Sequence, residues 1–291
     1  MPSAESLIQV LSSGLLMGAA YALVAVGFTI AFGVMNVVNF AHGHVAMAAM
    51  FASFVLNQYL GLDPYFAALV LFPVFFVVGL GLYRLVIAPM LQATHAAQLL
   101  TTLGLLIVIE NTANLLFGAD LRSVRPSYAD TSLVIGGVAL PWTRLFTAAG
   151  SLATIAAVWA FLTRTRLGAE LRAAADNRLG AVVVGISISR VFLLAFALST
   201  AIAAFAGAMV VPFFLISPFG GYDLMLKAFI IAIIGGLGSL PGALFGGLLV
   251  GLIEAAGGFF LTASLSTAMV FGLLVVTLLL RPDGLFGVSR R

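Results

Sequence analysis

The sequence predicts an all-α, polytopic integral membrane protein of about eight to ten transmembrane helices, some short or broken, forming a single domain over residues 1–291. Three observations predict this. Hydrophobic residues make up 63% of the chain and charged residues 8%, whereas about a quarter of a soluble domain is charged. The apolar residues fall in runs close to the roughly 20 residues that cross a hydrocarbon core. The charges gather in the breaks between runs, as arginines concentrated in a few loops.

Taken in order, the first run is 8–32. It follows MPSAESLIQVLSSG, which has Glu5 and neither Lys nor Arg, so the basic start of a signal peptide is missing and the run reads as a retained span. Runs at 43–60, 65–88 and 97–117 come next. The stretch 118–143 carries Arg122, Arg125 and turn residues and ends beside Trp142, where an interfacial aromatic is expected; it reads as the longest outside loop, able to dock a partner. The run 144–162 leads into the long basic interruption Thr163–Arg190, and the final runs are 191–212, 224–240, 242–262 and 264–280. The 224–240 run is short and ends in GGLGSLPG.

Orientation follows from the arginines. Arg164, Arg166, Arg172, Arg178 and Arg190 face only Glu170 and Asp176, and basic loops stay on the cytoplasmic side. The tail, with Arg281, Arg290 and Arg291, looks cytoplasmic too, so an even number of crossings must separate it from Arg190. Four crossings fit only if 224–240 traverses, as a broken or half helix. The N-terminus then lies outside and the C-terminus in the cytoplasm of a plasma (inner) membrane. Nine basic residues fall inside against four outside, the four being Arg122, Arg125, Arg144 and Lys227.

Several function classes are excluded. The net charge of +3 comes from loop arginines and describes topology, not a nucleic-acid surface. Cysteine is absent, which removes disulfides and thiol chemistry. No GxxxxGK[ST] loop exists, because the one lysine, Lys227, sits in LMLKAF, so this chain cannot hydrolyse ATP by itself. With three histidines and scattered carboxylates there is no catalytic constellation, and the chain reads as a non-enzyme that binds no cofactor of its own.

Four stretches hold candidate residues. Asn36, Asn39, His42 and His44 interrupt an apolar stretch, where unpaired polar groups are costly; they break a helix or line a wet cavity. His42 and His44 also form an HxH pair, but no third ligand is near and no metal site is expected. Glu110, with Asn111 and Asn114 as neighbouring partners, and Glu254 are carboxylates within spans, which makes them pathway candidates. Gly235, Gly236, Gly238, Pro241, Gly242 and Gly246 form a small-residue stretch that packs tightly or hinges, and Gly14 and Gly18 repeat the packing signal. From Leu167 to Leu179 the residues favour a surface helix exposing Glu170, Arg172 and Arg178, with Gly180 and Gly185 as breaks; it reads as a knob for a cytoplasmic partner or a basic loop on anionic lipid.

GLLMGAAYALVAVGFTIAFGVMNVVNFAHGHVAM at 14–47, TTLGLLIVIENTANLLFG at 101–118, LGAELRAAADN with GISISR in 167–190, and KAFIIAIIGGLGSLPGALFGGLLVGLIEA at 227–255 together resemble the H-type permease subunits of bacterial ABC importers for branched-chain amino acids. The resemblance covers most of the chain. It implies alternating access, a heterodimer with a related M-type permease, two cytosolic ATPases that bind ATP and magnesium, and a periplasmic binding protein. It also implies that Leu167, Gly168, Glu170, Leu171, Arg172, Asp176, Arg178, Gly185 and Arg190 belong to the segment that couples to an ATPase. Glu110 stands where the family more often has glutamine. Relatives in the superfamily carry urea, short amides or other amino acids, and an ion-gradient carrier using Glu110 or Glu254 is the alternative of another class.

Overall fold

A computed structural model describes residues 3–287. The helices are α1 (Ala4–Met35), α2 (His42–Leu60), α3 (Pro64–Leu82), α4 (Ala88–Met90), α5 (His95–Phe117), α6 (Trp142–Arg164), α7 (Arg166–Asp176), α8 (Arg178–Val183), α9 (Ile188–Val210), α10 (Gly221–Gly235), α11 (Leu240–Phe260) and α12 (Ala263–Leu280). A π-helical turn, Tyr83–Ile87, carries α3 into α4, and a 3-10 turn, Pro218–Gly220, leads into α10. Each of the nine apolar runs is therefore helical. Among the described residues, seven helical segments are long and apolar enough to cross a membrane, including Pro64–Met90 and Pro218–Gly235. The other two are α2, whose hydropathy His42, His44, Asn57 and Gln58 dilute, and the shorter apolar stretch Ser264–Leu280 of α12. The chain is a multi-pass membrane protein.

The bundle is organised around α1 and α9. Both are apolar on every face, so both are buried by neighbours instead of presenting one stripe to a core. The α1–α11 contact is made by two glycine stripes. A Cβ on Gly18 would lie 2.8 Å from Gly247 O, and one on Gly247 only 2.6 Å from Ala22 Cα. Gly242 and Gly246 face the other way, onto α10; a Cβ on Gly246 would lie 2.9 Å from Ile231 O. The change of phase between Gly246 and Gly247 thus separates two packing faces of one helix, about 100° apart around its axis.

The two ends of the bundle differ. At the basic end, Arg178 Nη2 donates to Met35 O (2.6 Å), Gly238 packs on Gly33, and the tail is tied to α10 by Leu285 N to Ile234 O (2.8 Å) and Phe286 N to Gly235 O (2.9 Å). The basic segment and the start of the tail therefore share one end, as parity requires. Arg290 and Arg291 lie outside the described residues. At the opposite end, Gln9 exchanges two 2.7 Å hydrogen bonds with the Ala139 backbone, and Tyr128 donates to Asp63 Oδ2 (2.5 Å). Burial and the adjacent Asp63 carboxylate push the Tyr128 phenol well above its usual pKa.

Part of the 118–143 loop is regular: Ser132–Ile135 (β1) and Val138–Pro141 (β2) form an antiparallel hairpin. Gly136 and Gly137, at φ 57° and 83°, adopt the left-handed geometry that a tight hairpin turn demands. The surface helix α7 stops at Asp176, three residues before Leu179, because the Asn177 side chain starts α8 by accepting from Gly180 N (2.9 Å). Gly180 therefore lies inside α8 and is no break, while Gly185 (φ 86°) is one. Lys227, counted on the outer side in the charge tally, is the seventh residue of α10.

Candidate functional site: paired charges and two interrupted helices

Asn36 ends α1 in the left-handed region (φ 59°), its N–H bonded to Phe32 O (2.7 Å). It is the one non-glycine residue with positive φ among the described residues, and asparagine tolerates that cap better than most. The chain then turns back into the bundle. Asn39 Oδ1 accepts from Ala41 N (3.1 Å), and Thr102 of α5 donates to Val38 O (3.3 Å). His42 Nε2 donates to Val24 O (3.0 Å), and its Nδ1 accepts from Ser199 (3.4 Å). Val24 lies eleven residues before Met35, about 16 Å along the helix axis. So α2 begins deep inside the bundle, reached by a non-helical connection whose Val37, Asn39 and Ala41 are buried in protein, the condition under which such backbone is tolerated.

The helix α10 begins at a similar depth. A Cβ on Gly221 would lie 2.7 Å from the His44 ring, and one on Gly43 would lie 2.5 Å from Met225 N. Two helix N-termini therefore meet in mid-bundle, neither closed by a side-chain cap. The dipoles of both helices favour negative charge at these ends. Glu110, from α5, supplies one: His44 Nε2 donates to Glu110 Oε2 at 3.2 Å, with the histidine side chain fully buried and the carboxylate 14% exposed. Tyr222, at the start of α10, packs edge-on against His44 at 4.7 Å. Glu110's partner is thus His44 on another helix and neither neighbouring asparagine; Asn111 Nδ2 donates to Ile107 O. His42 and His44, two residues apart, serve separate partners.

Glu254 belongs to a second cluster. Lys227 Nζ lies 2.7 Å from Glu254 Oε1 and donates to the Tyr21 hydroxyl (2.7 Å), with the ammonium 4.2 Å from the centre of that tyrosine ring. The two charged side chains remain 25% and 32% exposed. Glu254 and Tyr21 line a cavity of about 300 Å³ between α1, α6 and α11, together with Gln9, Ser13 and Arg144. Sequence reasoning missed Lys227, Tyr21, Tyr222 and Arg144. The signal for Lys227 was available, since an ionisable residue inside an apolar run implies a partner; the tyrosines and Arg144 had none.

The glycine stretch forms the turn between α10 and α11. Gly236 and Gly238, at φ 103° and 89°, need glycine's freedom, Ser239 caps α11 by accepting from Gly242 N (3.1 Å), and Pro241 sits in its first turn. Gly235 and Gly242 lie backbone to backbone. In the basic segment, Leu171 and Gly168 are buried, Leu167 and Glu170 half-buried, and Arg172, Asp176, Arg178, Gly185 and Arg190 exposed. Two of its arginines are committed: Arg172 Nε donates to Leu162 O (3.0 Å), and Arg178, besides holding Met35 O, stacks over Phe192 at 5.0 Å. Besides its exposed charges the segment offers solvent an apolar patch, with Leu179 81% and Val183 85% exposed beside Val182 and Val184.

Comparison with known proteins places this geometry. Residues 10–279 match the family model described as branched-chain amino acid transport system / permease component. The chain is 30% identical over 303 residues to the Pseudomonas aeruginosa high-affinity branched-chain amino acid transport system permease protein BraD, covering 99% of this chain and 98% of that one. It is also 30% identical to the LivH permease protein of Escherichia coli K12, over 96% and 95% of the two chains. Among solved structures, PsaBC from Streptococcus pneumoniae in complex with Fab shares the fold at a TM-score of 0.51 and 14% identity, over 94% of this chain and 92% of that chain. The chain belongs to the branched-chain amino acid transport system permease family.

Proposed function

We propose that this chain forms one half of the membrane pathway of an ATP-driven importer that carries branched-chain or related hydrophobic amino acids into the cell by alternating access. It pairs with an M-type permease, receives substrate from a periplasmic binding protein and is driven by two cytosolic ATPases holding ATP and magnesium; the hairpin end faces outward and the basic end faces the cytoplasm of the plasma membrane. The observation that carries this reading is the near-full-length likeness to permease subunits, in a chain with no phosphate-binding loop of its own. The exposed Leu179–Val184 run gives α8 the apolar knob that an ATPase groove would take, and the half-buried α7 beneath it transmits force to α6 and α1. Interrupted helices meeting at mid-depth are the usual setting of a transported ligand's site.

The test is co-purification in mild detergent followed by reconstitution. ATP-dependent leucine uptake that needs every subunit supports the reading. Leu179→Asp with Val183→Asp should release the ATPases without harming insertion, since both side chains are already exposed. An ion-gradient carrier is favoured by one observation, the two charge pairs inside the bundle. Uptake by the chain alone, abolished by Glu254→Gln, would establish that alternative.

A further inference from the structure

An apolar groove of about 730 Å³ lies on the flank formed by α3, α6, α7 and α9 and shares no lining residue with either charge cluster. Phe72, Ala153, Ala157, Phe161, Leu171 and Leu198 mark its course. It offers a ligand no free side-chain donor: its one hydroxyl, Thr154, already donates to Gly150 O (2.8 Å). Along α6 the lining runs from Gly150 to Phe161, eleven residues or about 16 Å. That is about half of the roughly 30 Å hydrocarbon thickness of a bilayer, the depth of a single leaflet.

The groove ends at the basic end of the bundle, where α6 gives way to α7. Arg164 and Arg166 are exposed there, and no hydrogen bond or ion pair holds either of them among the described residues. Arg172 lies further along α7, and the acids of that helix are Glu170 and Asp176, two against the three arginines. The local charge is therefore positive at the level where a phospholipid headgroup sits. We infer that this groove is a binding site for an anionic phospholipid of the leaflet at the basic end, its acyl chain along α6 and its phosphodiester on Arg164 and Arg166. Because the lining includes Leu167 and Leu171 of α7, an occupied groove would brace the segment that carries α8.

The experiment is native mass spectrometry of the purified permease assembly, released from nanodiscs of equal phosphatidylglycerol and phosphatidylcholine. Wild type should retain phosphatidylglycerol preferentially. Arg164→Gln with Arg166→Gln should reduce that preference on the order of 30-fold, the effect of two arginines near an anionic surface. Ala157→Phe, which fills the groove, should lose both lipids, while Ala156→Phe, exposed on the same helix outside the groove, should lose neither. Thermal melting of each variant checks that it is folded. Equal retention of the two lipids by wild type, or unchanged retention by either the arginine variant or Ala157→Phe, would overturn the site. So would an assembly in which cross-linking from Ala157 reaches a partner-subunit helix and no lipid is retained.

Discussion

Removing one charge of the Lys227–Glu254 pair should cost more than removing both. At the observed 2.7 Å the raw Coulomb attraction is about 6 kcal/mol with an effective dielectric constant of 20. Most of that is offset by desolvation, and a quarter to a third of each side chain still reaches solvent, so the net coupling should be near 2 kcal/mol. Glu254→Leu leaves the Lys227 ammonium with only the Tyr21 hydroxyl and should destabilise by about 2–3 kcal/mol. Lys227→Met alone should behave similarly, because it strands the carboxylate. The double variant Lys227→Met, Glu254→Leu should recover most of the loss, since no orphaned charge remains. The assay is a double-mutant cycle on detergent-solubilised protein, read by thermal unfolding or by denaturant. If the single losses simply add in the double variant, the pair is not coupled, and the account of Glu254 as one half of an ion pair fails.

The other predictions concern packing, the loop and the first charge cluster. Gly247→Leu should abolish folded expression, because even a Cβ there meets α1 backbone at 2.6 Å, whereas Gly258→Ala, with open space around it, should be neutral; fluorescence-detected size exclusion reads both. Stability should fall above about pH 10: the unfolded Tyr128 phenol ionises there while the folded one keeps its proton. Tyr128→Phe should flatten that decline and cost about 1–2 kcal/mol at neutral pH, because Asp63 loses its donor. Glu110→Ala should cost about 1–3 kcal/mol by stranding buried His44, and Glu110→Gln, which still accepts from it, should cost less; equal losses would mean that the hydrogen bond contributes nothing.

The sequence by itself determined the class, the nine helical runs and the shared end of basic segment and tail. Those follow from composition, run length and charge placement, which act locally along the chain. The glycine phase change at Gly246 and Gly247 was legible as a pattern, but which helix each face meets was not, since close approach is a property of two backbones. Glu110 and Glu254 stood out because a carboxylate in an apolar run demands a partner. The partners, His44 and Lys227, lie 66 and 27 residues away in the chain, and no local rule selects them. Only the tertiary structure decided that α2 and α10 begin in mid-bundle with their N-termini facing each other. That depends on how far the 36–41 connection folds back beside α1, a distance set by packing against Val24 and Ser199 and not by the residues of the connection alone.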